Sequence, residues 1–396
     1  MATPSNLPPQ PDFSLVLGGP LFQLFRRAHL SGDALELSSR RMIIIAGIAW
    51  LPLLLLSLIS GHAFGDTVAI PFWRDIESHV RFLFALPLLI SAEIIVHRRL
   101  LPAVLQFVER RIVSEAERPK FQQAIDSTLR LRNSVLIEVA LIVLVYTVGI
   151  WVWRNQFALG AASWYAVPAS GHMELTPAGY WLMAVSTPLW QFILLRWYFR
   201  YFLWFWLLFR VSRLNLHLMP IHPDRTGGLG FLGASTRAFG PVLVAQGAVS
   251  AGLIASRIFY EGHVLTDFKV QIVGFLGFFI IATLIPLTVF APRLAQARRE
   301  GLGDAGRLSS RYGRRFEDKW FRGDASADEE LLGSGDIQSL ADLGNSMAVV
   351  QEMRLFPFGW RDVTRLAMIT ATPFLPLLLT MFSLEDFATF IIKAIF

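Results

Sequence analysis

Seven stretches of this chain are each long and apolar enough to cross a lipid bilayer, and this pattern constrains the fold more than any other feature. The hydrocarbon core of a bilayer is about 30 Å thick, so a crossing helix needs roughly 20 apolar residues. Apolar residues make up 54% of the chain and charged residues 17%, against about 45–50% and about 25% in soluble domains. We therefore predict an all-α, polytopic membrane protein with seven transmembrane helices. The predicted spans are Met42–Ser60, Val80–Val96, Ser134–Trp153, Tyr180–Phe209, Phe239–Tyr260, Val270–Ala291 and Val363–Phe382.

The distribution of Lys and Arg predicts which side of the membrane each loop occupies, because basic residues gather in cytoplasmic loops. With the N-terminus in the cytoplasm, the inner segments hold 27 of the 36 basic residues and the outer segments hold three. We expect a multi-pass protein with the N-terminus inside and the C-terminus outside. The inner segments are 1–41, 97–133, 210–238 and 292–362, and the outer basic residues are Arg74, Arg154 and Lys393.

The spans divide the first three quarters of the chain into two regions. Residues 1–41 are a cytoplasmic N-terminal segment, and residues 42–291 are a membrane domain with six spans. Within the membrane domain, residues 97–133 are predicted to be a cytoplasmic helical insertion. A break is expected at Arg118-Pro119, because the residue before a proline disfavours helical geometry.

The largest segment outside the membrane, residues 292–362, is predicted to be a cytoplasmic helical region. It holds a basic run and an acidic patch, followed by Ile337–Met353, where apolar residues recur every three or four positions. This spacing predicts a helix with one buried face. Residues 363–396 supply the last span and an amphipathic outer segment, Leu384–Phe396. The basic run is Arg307, Arg311, Arg314 and Arg315, the acidic patch is Asp328, Glu329 and Glu330, and the apolar positions are Leu340, Leu343, Met347 and Val350.

Ionisable residues inside apolar spans are candidates for function, because placing one at the bilayer centre costs at least about 2.5–3.5 kcal/mol. Glu93 and Glu138 lie near the inner ends of predicted spans, and Arg257 lies near an outer end. Long side chains at such depths can extend to the head groups. A structural role is therefore the alternative to a functional one for these three residues.

The fourth predicted span is the least regular. Its thirty residues would measure about 45 Å as a continuous helix, and it carries Arg196 and Arg200 one turn apart on one face. The very apolar run Tyr201–Phe209 follows, and it would project into water if the two arginines marked the inner boundary. A tilt, a break near Pro188 or burial against other helices would resolve this conflict.

Two compatible hypotheses account for these arginines. In the first, Arg196 and Arg200 line an aqueous path that attracts anions. In the second, they pair with Glu93 and Glu138, which lie at a similar depth, and the pairs fix the packing of the helices. A buried cluster of ion pairs can also act as a gate.

The most distinctive polar stretch, residues 217–231, lies between the fourth and fifth predicted spans on the cytoplasmic side. His217, His222 and Asp224 are ligand types that suit zinc or a similar cation, although their spacing is not that of a helical zinc motif. Arg225 and the glycine amides after it can instead hold an anion. In a structural interpretation, Asp224 caps a turn, the glycines permit tight geometry and a helix begins after them. No metal site is assigned.

This stretch also carries a resemblance to known proteins. The sequence HPDRTGGLGFL at residues 222–232 and the sequence DIQSLADLGNS at residues 336–346 resemble the signature motifs of an uncharacterised family of bacterial integral membrane proteins. Met353-Arg354-Leu355 and Pro373–Met381 are similar to that family as well. The resemblance covers about residues 180–396. It implies a location in the bacterial inner membrane, and it implies no catalytic residues.

Several kinds of chemistry are excluded or lack support. The chain has no cysteine, which excludes disulfides, thiolate nucleophiles and cysteine-bound metals. No motif for a nucleotide, haem, nicotinamide or iron–sulfur cluster occurs, so we predict no cofactor. The formal net charge of +6 follows the loops rather than forming one patch, so no nucleic-acid partner is predicted.

A membrane channel or transporter, with a preference for inorganic anions, is the leading functional hypothesis. The arginines of the fourth span, together with Arg257, would attract charge, and Glu93 and Glu138 would pair with them or gate them. The cytoplasmic region would regulate opening or assembly, and the aromatic surface of the fourth span favours a homo-oligomer. The alternatives are a scaffold or signalling protein that recruits a cytoplasmic protein partner, and an enzyme acting at the inner leaflet through the polar residues of the loop.

Overall fold

The structure is a computed structural model that describes residues 13–20, 23, 38–152, 162–169, 172–323 and 335–381. Seven helices within these ranges are long and apolar enough to span a membrane, which confirms the predicted all-α, polytopic fold. Each of them overlaps one predicted span. They are span 1 (Ser39–Ile59), span 2 (Ile76–Glu109), span 3 (Val135–Val152), span 4 (Pro177–Ser212), span 5 (Phe231–Glu261), span 6 (Leu265–Thr288) and span 7 (Trp360–Met381).

Several spans change their helical pitch along their length. Spans 2, 3 and 4 each contain a π-helical turn, at Val80–Ala85, Val145–Gly149 and Leu182–Ser186. In span 4, Pro188 lies in the first turn of Thr187–Ser212, which runs unbroken past both arginines. The other α-helical parts are Ser38–Ile59, Ile76–His79, Leu86–Glu109, Val135–Leu144, Ile150–Val152, Pro177–Trp181, Phe231–Ser235, Gly240–Glu261, Lys269–Thr288 and Trp360–Ala371, and the 3-10 parts are Thr236–Phe239, Leu265–Phe268 and Thr372–Met381.

Three further helices and one hairpin lie outside the spans in the described part of the chain. We call Arg118–Arg132 the inner helix, Ala291–Phe321 the long helix and Gly335–Gln351 the return helix. Short 3-10 turns occur at Phe72–Arg74 and Glu115–Glu117. The hairpin pairs strand β1, Ala166–Ala169, antiparallel to strand β2, His172–Leu175, with Ala166 opposite Leu175.

Spans 2 and 4 continue well past their neighbours at the arginine-rich side, which the charge distribution predicts to be cytoplasmic. Span 1 begins at Ser39 and span 3 at Val135, whereas span 2 runs on to Glu109 and span 4 to Ser212. Residues 97–109 therefore belong to the helix of span 2, and the inner helix is the part of the expected insertion that forms a separate helix. Its Pro119 lies in the first turn, so the proline starts this helix rather than breaking one.

These extensions and the inner helix form a second apolar layer, which we call the inner layer. Phe107 of span 2 packs against Phe121 of the inner helix, with ring centroids 5.9 Å apart, and against Phe290, at 6.2 Å. Span 4 contributes its buried residues to the same core. Burial against other helices thus resolves the conflict at Tyr201–Phe209. The buried residues of that run are Leu203, Trp204, Leu207 and Leu208.

The long helix and the return helix pack antiparallel. Ser309 lies 3.4 Å from the sulfur of Met347, and further along the pair Lys319 Nζ lies 2.8 Å from Asp336 Oδ2. The expected helix is therefore present, but its expected buried face is only partly right. Val350 is fully buried, whereas Leu340 is 38% exposed.

Three features from the sequence lie outside the described residues. They are the acidic patch at Asp328, Glu329 and Glu330, the amphipathic segment Leu384–Phe396 and the outer residue Arg154.

Candidate functional site

Five charged side chains meet between the first four spans. We call Arg41, Glu93, Glu138, Arg196 and Arg200 the charge cluster. Arg200 Nη2 lies 2.6 Å from Glu93 Oε1, and Arg41 Nη2 contacts the other oxygen of the same carboxylate. Arg196 Nη2 lies 3.4 Å from Glu138 Oε1. All five side chains are largely hidden from solvent, the most exposed at 13%.

The helices bring the cluster to one level. Arg41 and Glu138 lie in the first turns of spans 1 and 3, at the arginine-rich side, and Glu93 lies halfway along span 2. Arg196 and Arg200 are one turn apart on span 4, so each can face a different carboxylate. The cluster therefore marks the level at which the shorter spans begin and the inner layer starts.

An aromatic ring supports the best-paired arginine. The guanidinium carbon of Arg200 lies 4.5 Å from the ring centroid of Trp197, a distance typical of a cation–π contact. Trp197 itself is fully buried, and its indole N–H donates to the carbonyl of Leu89 at 3.0 Å. These contacts hold the Arg200 side chain in one orientation toward Glu93.

A small cavity lies among the charged groups. Its volume is about 20 Å³, and apolar side chains of Ile45, Ile90 and Ile193 complete its walls. A polar cavity needs about 10–15 Å³ to hold a water molecule. The cavity is therefore large enough for one water and too small for an open pore.

The structure does not bring Arg257 into the cluster. Arg257 lies near the far end of span 5, where its charge acts on Glu77. Glu77 in turn pairs with Arg81 one turn along span 2. This second group of charges lies at the end of the spans opposite the charge cluster.

The polar loop between spans 4 and 5 is organised around Asp224. Its Oδ1 accepts hydrogen bonds from the amides of Thr226 at 2.8 Å and Gly228 at 3.1 Å, and its Oδ2 accepts from Gly230 at 2.9 Å. Burial alone would raise the pKa of Asp224, but these three amides and the nearby His222 hold that pKa below its usual value. The amides that could bind an external anion instead donate to the carboxylate of Asp224, which belongs to the same loop.

The other candidate residues of the loop make contacts within it or with neighbouring segments. His222 Nδ1 lies 2.9 Å from Asp224 Oδ1, Arg225 Nη1 lies 2.8 Å from Glu352, and the amide of His217 donates to the carbonyl of Ile112 at 2.8 Å. Within the described residues, no group of three or more acidic or histidine side chains is placed to hold a metal ion. The geometry therefore favours the structural interpretation of this loop.

The loop also packs directly against the long helix. A Cβ atom at Gly301 would lie 2.4 Å from the Cβ of Pro220, so the helix backbone approaches the loop directly. On the next segment, the amide of Arg354 donates to the carbonyl of Arg225 at 2.7 Å. The loop thus joins the end of span 4 to the long helix and to the segment that precedes span 7.

Sequence reasoning missed Arg41 as a member of the cluster. Arg40 and Arg41 precede an apolar run, a position that indicates a cytoplasmic flank, and nothing in the sequence distinguishes a flanking arginine from one folded inward. The residue that could have led to Arg41 is Glu93. Its carboxylate pairs with arginines of two different helices, so both helices must lie close to it.

Comparisons with protein-family models, with curated proteins and with solved structures match nothing to this chain.

Proposed function

We propose that this membrane protein is a channel or carrier for inorganic anions, and that this conformation is its closed state. The observation that carries the proposal is the charge of the cluster, where, within the described residues, three guanidinium groups face two carboxylates. Charged groups are costly inside a membrane protein and characteristically mark ion pathways. An excess of arginine favours anions over cations.

The same contacts support a gate. The cavity among the charged groups is large enough for only about one water molecule, so an ion passes only when an ion pair separates. The contact between Arg196 and Glu138, at 3.4 Å, is longer than the one between Arg200 and Glu93. Separation of Arg196 from Glu138, with movement of span 4 against span 3, is therefore the opening step in this proposal.

We place the protein in the bacterial inner membrane with the charge cluster near the cytoplasmic side. The 27-to-3 division of basic residues between the predicted inner and outer segments supports this orientation. The long helix contacts the loop that follows span 4 through Gly301 and Pro220. Its movement would act on the end of the span that carries both arginines, which supports a regulatory role.

Ion flux through purified protein in liposomes tests the proposal, with chloride and potassium gradients compared. We expect chloride flux that falls in Arg196→Gln, since this variant removes the arginine of the looser pair. Arg257→Gln is the matched control, because it removes a span arginine at the other end of the bundle, and its flux should equal that of the unchanged protein. Equal chloride and potassium flux, or equal loss in both variants, contradicts the proposal.

A scaffold is the second candidate, and one specific observation favours it. The long and return helices expose large apolar side chains, with Leu308 51% exposed, Phe321 77% and Ile337 46%. Exposed apolar residues on a protein surface are typical of interaction sites. Two results would favour a scaffold over transport. One is the absence of ion flux under any gradient. The other is that Leu308→Asp abolishes the cellular function of the protein while Arg196→Gln retains it.

The enzyme hypothesis has less support, because the carboxylate of Asp224 is already bound by three amides.

A further inference from the structure

A second pocket opens at the arginine-rich side, apart from the charge cluster. It lies between the extension of span 2 and the start of span 5, and its volume is about 380 Å³. Pockets that bind small molecules fall in the range of about 300–1,000 Å³. Arg99 and Gln106 line it from span 2, and Phe231, Ala234 and Arg237 line it from span 5.

The pocket presents two arginines that no acidic side chain of the described residues neutralises. Arg99 donates to the backbone carbonyl of Arg237 at 3.1 Å, and Arg237 donates to the carbonyl of Ala234 at 3.4 Å. Neither arginine forms an ion pair with any residue in the part of the chain that the structure describes. A third guanidinium, that of Arg110, lies 5.3 Å from the ring centroid of Phe231 on the pocket wall.

The rest of the lining is amphipathic. Phe231 and Ala234 supply an apolar wall, while the side-chain oxygen Oε1 of Gln106 is buried and has no hydrogen-bond partner among the described residues. A buried acceptor without a donor is costly. A ligand that carries hydroxyl groups beside a phosphate, together with an apolar part, would satisfy all three kinds of surface.

The arginines of the pocket lie at the outer edge of the predicted head-group layer. Span 3 begins at Val135 and Glu138 lies in its first turn, which puts the charge cluster at the arginine-rich end of this short span. Arg99 follows Glu93 by six residues on the same helix, which places it about 9 Å further along. The head-group layer is about 5–8 Å thick on each side of the core, so Arg99 lies at the boundary between this layer and water.

We propose that this pocket is a specific site for an anionic phospholipid with a hydroxylated head group, whose phosphate lies between Arg99 and Arg237. Clustered arginines between transmembrane helices on the cytoplasmic side recognise anionic head groups by charge. The phosphate takes the guanidinium donors and a head-group hydroxyl donates to Gln106. The carbon atoms of the head group lie against Phe231, which packs on Phe107 at the end of the pocket further from the membrane. The site does not depend on whether the protein conducts ions.

Lipid binding by the purified full-length protein in detergent tests the proposal, with phosphatidylglycerol and phosphatidylcholine titrated separately. We expect tighter binding of phosphatidylglycerol, and the double variant Arg99→Gln/Arg237→Gln should bind it about thirtyfold more weakly, at about 1 kcal/mol for each arginine. Arg98→Gln is the matched control, because Arg98 is an exposed arginine next to Arg99 that does not line the pocket. Ala234→Phe fills the pocket without changing its charge and should weaken binding as well.

Inorganic phosphate, titrated alone, distinguishes the two sources of this chemistry. Weak binding of phosphate and strong binding of phosphatidylglycerol, both reduced by the double variant, support a lipid site. Equal binding of the two lipids, an equal loss in Arg98→Gln, or tight binding of phosphate with none of the lipid overturns the proposal. Thermal unfolding of each variant without added lipid identifies any variant that is misfolded. If the double variant is misfolded, phosphatidylglycerol binding by Ala234→Phe tests the site instead, and unchanged binding by this variant overturns the proposal.

Discussion

Arg41 and Arg200 bind opposite oxygens of one carboxylate, so that Glu93 joins span 1 to span 4 through span 2. The two arginines are 159 positions apart in the chain. A single carboxylate therefore ties three spans together at one level.

Glu93→Gln should destabilise the protein strongly. The variant leaves the charges of two buried arginines without their shared carboxylate, and breaking a buried ion pair costs about 3–5 kcal/mol. Denaturation in detergent measures the free energy of unfolding. Glu109→Gln, at an exposed position further along the same helix, should change it by less than about 0.5 kcal/mol. The double variant Glu93→Gln/Arg200→Gln should recover part of the loss, and strict additivity would contradict the pairing.

Two glycines of the long helix should respond oppositely to alanine. Gly306 has open space where a Cβ would be, so Gly306→Ala should stabilise the helix by about 0.8–1.0 kcal/mol. At Gly301 the new Cβ would lie 2.4 Å from Pro220, so the helix must move away from the loop. Hydrogen exchange along residues 291–321 should slow in the first variant and quicken in the second. The same response at both positions would show that the long helix does not rest on Pro220.

Asp224 should make the loop sensitive to acid. Its three amide partners bind the ionised form and its pKa lies below the usual value, so the stabilisation is complete above about pH 3.9, the ordinary pKa of aspartate. It is lost as the pH falls through the lowered pKa of the folded protein. The protection of the amides of Thr226, Gly228 and Gly230 against hydrogen exchange, relative to the intrinsic rate at each pH, should fall over that acid range.

Asp224→Asn should remove this pH dependence and loosen the loop at neutral pH. An asparagine keeps one acceptor oxygen, so the amide of Gly230 loses its partner at a cost of about 1–3 kcal/mol. Arg225→Gln is a suitable control, because its ion pair with Glu352 is about half exposed and such pairs contribute about 0–1 kcal/mol. An acid response that persists in Asp224→Asn would assign it to another group.

The absence of cysteine makes the predicted orientation directly testable. Phe64 is 55% exposed between spans 1 and 2, and Leu308 is 51% exposed on the long helix. A maleimide that cannot cross membranes should label Phe64→Cys on intact cells and Leu308→Cys only after permeabilisation. The reverse pattern would place the N-terminus outside.

The seven spans could be predicted because each is a continuous apolar run, and the bilayer supplies the partner surface for such a helix. The end of span 2 was predicted at Val96 because basic residues follow at Arg98 and Arg99, although the helix continues to Glu109. Charge at a helix surface marks the edge of the lipid, and it does not stop a helix whose other face is buried against protein. A hydropathy scan therefore could not predict the inner layer.

The charge cluster could be predicted only in part. Arg196 and Arg200 stood out because they interrupt an apolar run, and Glu93 and Glu138 were matched to them by depth. Which arginine faces which carboxylate depends on the rotation of each helix, which a sequence pattern leaves open. The role of Gly301 depends on contact with Pro220, 81 positions earlier in the chain, and a single glycine in a polar helix carries no signal for such a contact.

Span 4 passes from the membrane into the inner layer as one continuous helix, Thr187–Ser212, and this has a mechanical consequence. Such a helix cannot rotate in one layer without rotating in the other. Torque applied to span 4 beyond Arg200 would reach the arginine directly, with no hinge to absorb it. The helix extends about 18 Å from Arg200 to Ser212, so a sideways displacement at Ser212 would tilt span 4 and change the distance between Arg196 and Glu138.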